Sequence, residues 1–206
     1  MERKHTVSVL FSSQKDRGSR ALYWITGRNY THASIRLDEM GNEFYSFNFK
    51  GMCTEKPYYF NDSRTNYSML YQLNVSEDCF QKLQASLTGI LQERESYRYN
   101  ALGVALCLFH IPHKFERSYF CSQFVAELLK EANAIPQGHK ASLCLPNRLE
   151  KELRVSRVAE QAVLNPFRTE VNPRKQQIAV QAPDRTGFCF FRTCTHLWHR
   201  LTLDVA

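Results

Sequence analysis

The order in which hydrophobic periods follow one another most constrains what this chain can fold into. Short β-rich runs come first, and helical stripes appear only afterwards. Thr6-Val7-Ser8-Val9-Leu10-Phe11 is rich in β-formers and bounded by polar residues, which predicts a first strand. Gly18 to Asn29 carries Ala21, Leu22, Trp24 and Ile25 in a short helical pattern. His32 to Leu37 and Glu43 to Phe49 flank Asp38-Glu39-Met40-Gly41-Asn42, which predicts a hairpin turning at Gly-Asn. Tyr67 to Val75 supplies a further strand. Ser76-Glu77-Asp78 reads as a helix start, with a capping hydroxyl and two acids in the first turn. Phe80, Leu83, Leu87, Ile90 and Leu91 then share one helical face. A second helix is expected from near Ser118, with Phe120, Phe124, Val125, Leu128, Leu129 and Ala132 as its buried stripe. Strands before helices, without regular alternation, predict an α+β fold with a small antiparallel sheet packed against helices.

Composition narrows the function classes. At 206 residues the chain suits one domain, or one domain with an extension. Hydrophobic residues at 43% and aromatics at 13% exclude disorder throughout. The apolar run Ala101 to Phe109 stops at His110, well short of the ~20 residues a membrane-spanning helix needs. Val7 to Phe11 is too short for a signal-peptide core, so a cytoplasmic location is expected. Lys+Arg 27 against Asp+Glu 20 gives a net charge of +7, but the cations are dispersed among acids. That dispersal points to a solvated surface rather than to specific nucleic-acid binding. Seven irregularly spaced cysteines are unlike a secreted disulfide framework. Cys189, Cys194, His196 and His199 leave one residue between their pairs, where a zinc finger needs about 12, so no metal is expected there. After Val155 the sequence carries Pro166, Pro173, Pro183 and Arg174-Lys175 with no sustained period. Residues 1–155 are therefore expected to form the domain, and 156–206 an extension, loosely ordered or docked.

One cysteine stands in a reactive setting. A helix starting at Ser118 puts Cys121 in its first turn, where the positive end of the macrodipole stabilises a thiolate. Cys79 follows Glu77 and Asp78, which oppose ionisation. A thiol nucleophile also needs a base, normally an imidazole on a neighbouring element. His32 stands at a strand start beside the small residues Ala33 and Ser34 and is the best candidate. His110 and His113 flank Pro112 in a loop that reads as a surface turn, and nothing around His5 or His139 recommends them.

Tyr119-Phe120-Cys121-Ser122-Gln123-Phe124-Val125-Ala126-Glu127-Leu128-Leu129 resembles the nucleophile helix of NlpC-type papain-fold enzymes. Thr31-His32-Ala33-Ser34-Ile35-Arg36-Leu37 resembles their histidine strand. Here the histidine precedes the cysteine, the order of the circularly permuted branch that includes YiiX-like proteins and lecithin:retinol acyltransferase relatives. Tyr99-Asn100-Ala101-Leu102-Gly103 also resembles the YiiX-like branch. The resemblance covers roughly residues 5–150. Phe120 stands where these enzymes often carry Asp, and the Asn-Cys-Glu-His signature of the retinol acyltransferase relatives is absent.

The resemblance implies a circularly permuted papain-like fold and a thiol-dependent hydrolase acting on an amide, ester or thioester, with no metal or organic cofactor. A peptide or acyl substrate would be attacked by Cys121, with His32 as the base. The family's third polar residue lies on the strand after the histidine. Pairing Leu37 with Glu43 sets His32 opposite Asn48, with Ser46 diagonal on the same face, so both are candidates for orienting the imidazole. Glu43 would need a bulge. An acyltransferase or lipid hydrolase on the same fold, an inactive binding module, and a basic nucleic-acid-binding protein are the alternatives.

Overall fold

The computed structural model describes residues 4–15, 29–60, 65–156 and 158–167, all within a compact unit spanning Met1–Asn172. The helical pattern expected at residues 18–28, the Cys189–His199 cluster and most of the expected extension lie outside the described residues.

The fold is α+β, built on a six-stranded antiparallel sheet. The strands are β1 (Lys4–Gln14), β2 (His32–Leu37), β3 (Phe44–Asn48), β4 (Gly51–Glu55), β5 (Thr65–Ser76) and β8 (Ala159–Leu164), in the order β4-β3-β2-β1-β5-β8. β6 (Arg98–Tyr99) and β7 (Ser118–Tyr119) form a separate parallel pair. The helices are α1 (Glu77–Gln92), α2 (Ala101–Leu108), α3 (Cys121–Glu131) and α4 (Pro146–Ser156).

Central β1 is covered on both faces, which explains its unbroken run of buried residues. Val7, Val9 and Phe11 alternate with Ser8, Leu10 and Ser12, all fully enclosed. On the face of Val7 and Phe11, Ile35 and Phe47 meet the helices, and the Phe47 ring lies 5.1 Å from that of Phe124 on α3. The opposite face carries a second cluster of Leu10, Phe44, Phe60 and Leu70, against which Val163 and Phe167 pack. Burying each such side chain favours folding by about 1.5–3 kcal/mol.

Local chemistry sets several boundaries. Ser76 caps α1, its hydroxyl accepting from the Cys79 N–H, and Phe80, Leu83, Leu87 and Ile90 form the buried stripe. The hairpin turn is a short 3-10 segment, Asp38–Met40, closed by Gly41 at φ 113°. Gly51 at φ 101° opens β4, and a Cβ there would stand 2.9 Å from the Tyr97 carbonyl oxygen, so only glycine fits.

One expectation is corrected. Ser118 does not cap the helix that carries Cys121. It is held in β7 beside Arg98, and the helix begins after Phe120, which makes no side-chain cap bond. Beyond residue 155, Ala159–Leu164 pairs with β5 from Met69↔Leu164 to Leu73↔Ala159 and extends the sheet.

His5 ties the turn and α1 to the sheet. It is buried, with Nδ1 2.6 Å from Glu39 Oε1, Nε2 2.7 Å from Glu77 Oε2, and its ring stacked on Phe80 at 4.4 Å. Both nitrogens can donate only as imidazolium. The Glu77 hydrogen bond raises its pKa, burial opposes, and Glu39 adds to the rise; the net direction is up.

Two outcomes are expected. A chain ending at Ser156 should melt lower and aggregate more than one ending at Asn172, because it exposes the β5 edge and strips Val163 and Phe167 from their cluster. Stability from His5 is fully present below about pH 6.5, the ordinary imidazole value, and is lost as pH rises through the raised folded value. The difference in Tm between the wild type and His5→Gln should therefore shrink as pH rises, as read by thermal denaturation across pH.

Candidate active site

Three elements converge on Cys121. Parallel pairing of β7 with β6 and the fully buried Phe120 ring fix the chain just before α3, so Cys121 is the first helical residue. β2 begins at His32, and its entry is held from both sides. The Thr31 N–H donates to the Ser12 carbonyl at 3.0 Å. The Asn147 side chain, at the start of α4, brackets the Tyr30 backbone, accepting from its N–H at 3.1 Å and donating to its carbonyl at 2.6 Å. β4 ends at Glu55.

The Cys121 thiol and the His32 imidazole act on each other's ionisation, and the backbone N–H groups of Ala33 and Ser122 also favour the thiolate. His32 Nε2 lies 2.9 Å from Glu55 Oε1 and 3.1 Å from Oε2. With Nε2 held by the carboxylate, Nδ1 is the nitrogen left for the thiol. Cys121 and His32 are each only 6% exposed, so these interactions operate with little screening.

Burial pushes the Cys121 thiol up, but the His32 hydrogen bond and charge, with the two N–H groups, outweigh it, and the net shift is down. Burial pushes His32 down, yet the Glu55 carboxylate and the Cys121 sulfur hold it well above the usual imidazole range. The arrangement favours a thiolate–imidazolium pair backed by a carboxylate. In the other described cysteines burial wins, even at Cys144 with Lys130 beside it. Cys107 is pushed up to about 11 and Cys144 to about 12, while Cys53 and Cys79 are also raised.

The expected third residues are elsewhere engaged. Strands β2 and β3 do adopt the expected register, through Ile35↔Tyr45. Asn48 is exposed, however, and its Oδ1 accepts from the Lys50 N–H at 2.8 Å, shaping the turn into β4. Ser46 is buried, and its hydroxyl donates to the Ala33 carbonyl at 2.7 Å, fixing the residue whose N–H helps to lower the thiol. The imidazole partner is Glu55, which sequence reasoning missed. The pairs Ile35↔Tyr45 and Phe44↔Glu55 put His32, Ser46 and Glu55 on one sheet face. The parity argument chose the right face and stopped one strand short. Gly51, directly after the turn residues Asn48 to Lys50, was the available sign that the hairpin continues into another strand.

Two other described histidines are engaged elsewhere. His113 meets Phe115 edge to face with ring centroids 4.3 Å apart, and His139 Nδ1 meets Glu152 at 2.9 Å. Among the described residues no group of His, Cys, Asp and Glu is arranged to hold a metal ion, and no helix is long and apolar enough to cross a membrane. Comparisons with protein-family models, curated proteins and solved structures find no match to this chain.

The site predicts selective alkylation. Near pH 6.5 Cys121 should react with iodoacetamide faster than Cys107 or Cys144, and His32→Ala should raise its pKa by about one to three units. Site-resolved mass spectrometry across pH measures both. Equal rates at the three cysteines would contradict the ion pair.

Proposed function

We propose that the chain is a thiol-dependent hydrolase with a circularly permuted papain-like domain, acting on an amide, ester or thioester of a peptide or acyl substrate. The observation that carries this reading is the buried Cys121–His32–Glu55 line, with the thiol lowered and the imidazole raised. The resemblance to NlpC-type enzymes and the chain order, histidine strand before cysteine helix, support the permuted assignment. An inactive binding module would have no use for a lowered thiol, so the enzymatic reading is favoured over it.

In this reading the Cys121 thiolate attacks the substrate carbonyl carbon, and the carbonyl electron pair moves onto oxygen. The Cys121 backbone N–H at the helix start, lacking an intrahelical acceptor, donates to that oxyanion; one such donor lowers a barrier by about 3 kcal/mol. The intermediate collapses to a thioester, and the leaving amine, alcohol or thiol takes the Nδ1 proton of His32. Neutral His32 then removes a proton from water, which attacks the thioester and releases the acid. Glu55 keeps Nε2 protonated and aims Nδ1 at the sulfur throughout. An acceptor other than water would make the same site an acyltransferase.

Acyl-probe labelling with identification of the modified residue tests the proposal. Labelling is expected at Cys121 alone and should disappear in Cys121→Ser. Glu55→Gln should slow labelling on the order of a hundredfold, while Asn48→Ala should leave it near the wild-type rate. The rate should rise with pH as the thiol ionises below its ordinary value and fall as His32 loses its proton above the ordinary imidazole value. Absence of labelling at Cys121, or labelling indifferent to Glu55→Gln, would refute the assignment.

A further inference from the structure

We propose that α2 and the loop following it form a docking surface for an anionic lipid bilayer. Helix α2 reads Ala-Leu-Gly-Val-Ala-Leu-Cys-Leu, yet only Gly103 and Cys107 in it are buried. A helix apolar all round normally lies inside a protein or against a membrane. Leu102 is 59% exposed, Phe109 75% and Ile111 50%. Phe49, also largely exposed, joins the near end of this patch, its ring 4.7 Å from that of Tyr99, the residue before the Asn100 cap.

Charge decides the partner. Residues 96–115 contain no Asp or Glu, while Arg98, His110, His113 and Lys114 fall within that stretch; the flanking acids are Glu95, paired with Arg94, and Glu116. Lys114 is tied to Glu127, and Arg117, just beyond, to Glu93. Lys50, beside Phe49, and Arg98, beside Tyr99, are exposed with no acidic partner among the described residues. An apolar segment bordered by cations and aromatic rings is the pattern of helices that lie in a membrane interface. Anionic headgroups neutralise the cations while the acyl boundary takes up Leu102, Phe109 and Ile111. Helix α2 is far too short to span a bilayer, so the contact is interfacial.

The surface is fastened to the chain that leads into Cys121. Asn100 caps α2, accepting from the Gly103 N–H at 2.7 Å, and its own N–H donates to the Tyr119 carbonyl at 3.0 Å. Tyr119 is two residues from the nucleophile. Docking through α2 would therefore hold the start of α3 near the interface.

Flotation of the full chain with phosphatidylcholine vesicles, with and without phosphatidylserine, tests the proposal. The wild type should float with phosphatidylserine vesicles and be released by added salt. Each exposed apolar side chain withdrawn from water contributes about tenfold. The combined Leu102→Ser, Phe109→Ser and Ile111→Ser variant should therefore lose binding on the order of a hundredfold or more. Lys50→Glu and Arg98→Glu should each weaken phosphatidylserine binding about fivefold, and Val155→Ser on α4 should change nothing. Phe109→Trp preserves bulk and should add a blue-shifted emission with phosphatidylserine vesicles that the wild type lacks. Cys121 alkylation in the serine variant without vesicles should match the wild type, which shows folding and keeps this test separate from the hydrolase reading. The proposal is overturned if the wild type ignores phosphatidylserine vesicles, if the serine variant still floats, or if the Phe109→Trp emission does not move. A wild-type dimer that ignores vesicles and dissociates in the serine variant would assign the patch to self-association instead.

Discussion

The Cys121 thiol and the His32 imidazole share a nearly dry site beside Glu55, and each favours its charged form because of what stands next to it. A buried thiolate, imidazolium or carboxylate alone would lose its hydration and neutralise. Cys144 is as buried as Cys121 and has the Lys130 ammonium 3.7 Å away, but Glu152 stands at the same distance, and the thiol is pushed up to about 12. Cys121 moves the other way because His32 stands against it, and His32 stays protonated because Glu55 holds its Nε2. Much local structure serves that alignment. Phe120 anchors the start of α3, Asn147 and Ser12 fix the entry to β2, and Gly51 turns the chain so that β4 can bring Glu55 back. Ser46 pins Ala33 through its carbonyl, and the Ala33 N–H helps to lower the thiol.

How much could be read in the sequence varied with the range of the interaction. The β-rich runs before helical stripes implied the α+β class, and the hairpin register followed from turn length and period-two alternation. Ser76 announced α1 because capping is local. Cys121 fell in the first turn of its helix as expected, although the boundary is set by β7 and Phe120 rather than by Ser118. Glu55 was not legible. Gly51-Met52-Cys53-Thr54-Glu55 is too short and mixed to declare itself a strand, and its pairing with β3 supplies what its composition lacks. Strand β8 was hidden for a related reason: Ala159-Glu160-Gln161-Ala162-Val163-Leu164 has weak strand propensity and forms against the exposed edge of β5. Helix α4, opened by Pro146, interrupts a stretch rich in turn-forming residues. Tertiary pairing overrode local preference in each case.

The apolar character of Ala101 to Phe109 was visible at once, but its meaning depended on burial. The same residues in a core would be unremarkable. Here the segment lies outside, bordered by cations, and its cap residue is bonded to the strand that delivers Cys121. A thiol site beside an interfacial surface suits substrates drawn from a membrane as well as dissolved ones, so the docking surface bears on the choice between peptide and lipid acyl groups.

The ionisation of His32 tests the account most directly. Nitrogen chemical shifts of its imidazole, followed by NMR across pH, report whether both ring nitrogens carry protons. The account predicts a doubly protonated His32 at neutral pH, with its titration displaced to lower pH in Glu55→Gln and in Cys121→Ser. A His32 that is neutral at pH 7, or one whose titration is unmoved by both substitutions, would contradict it.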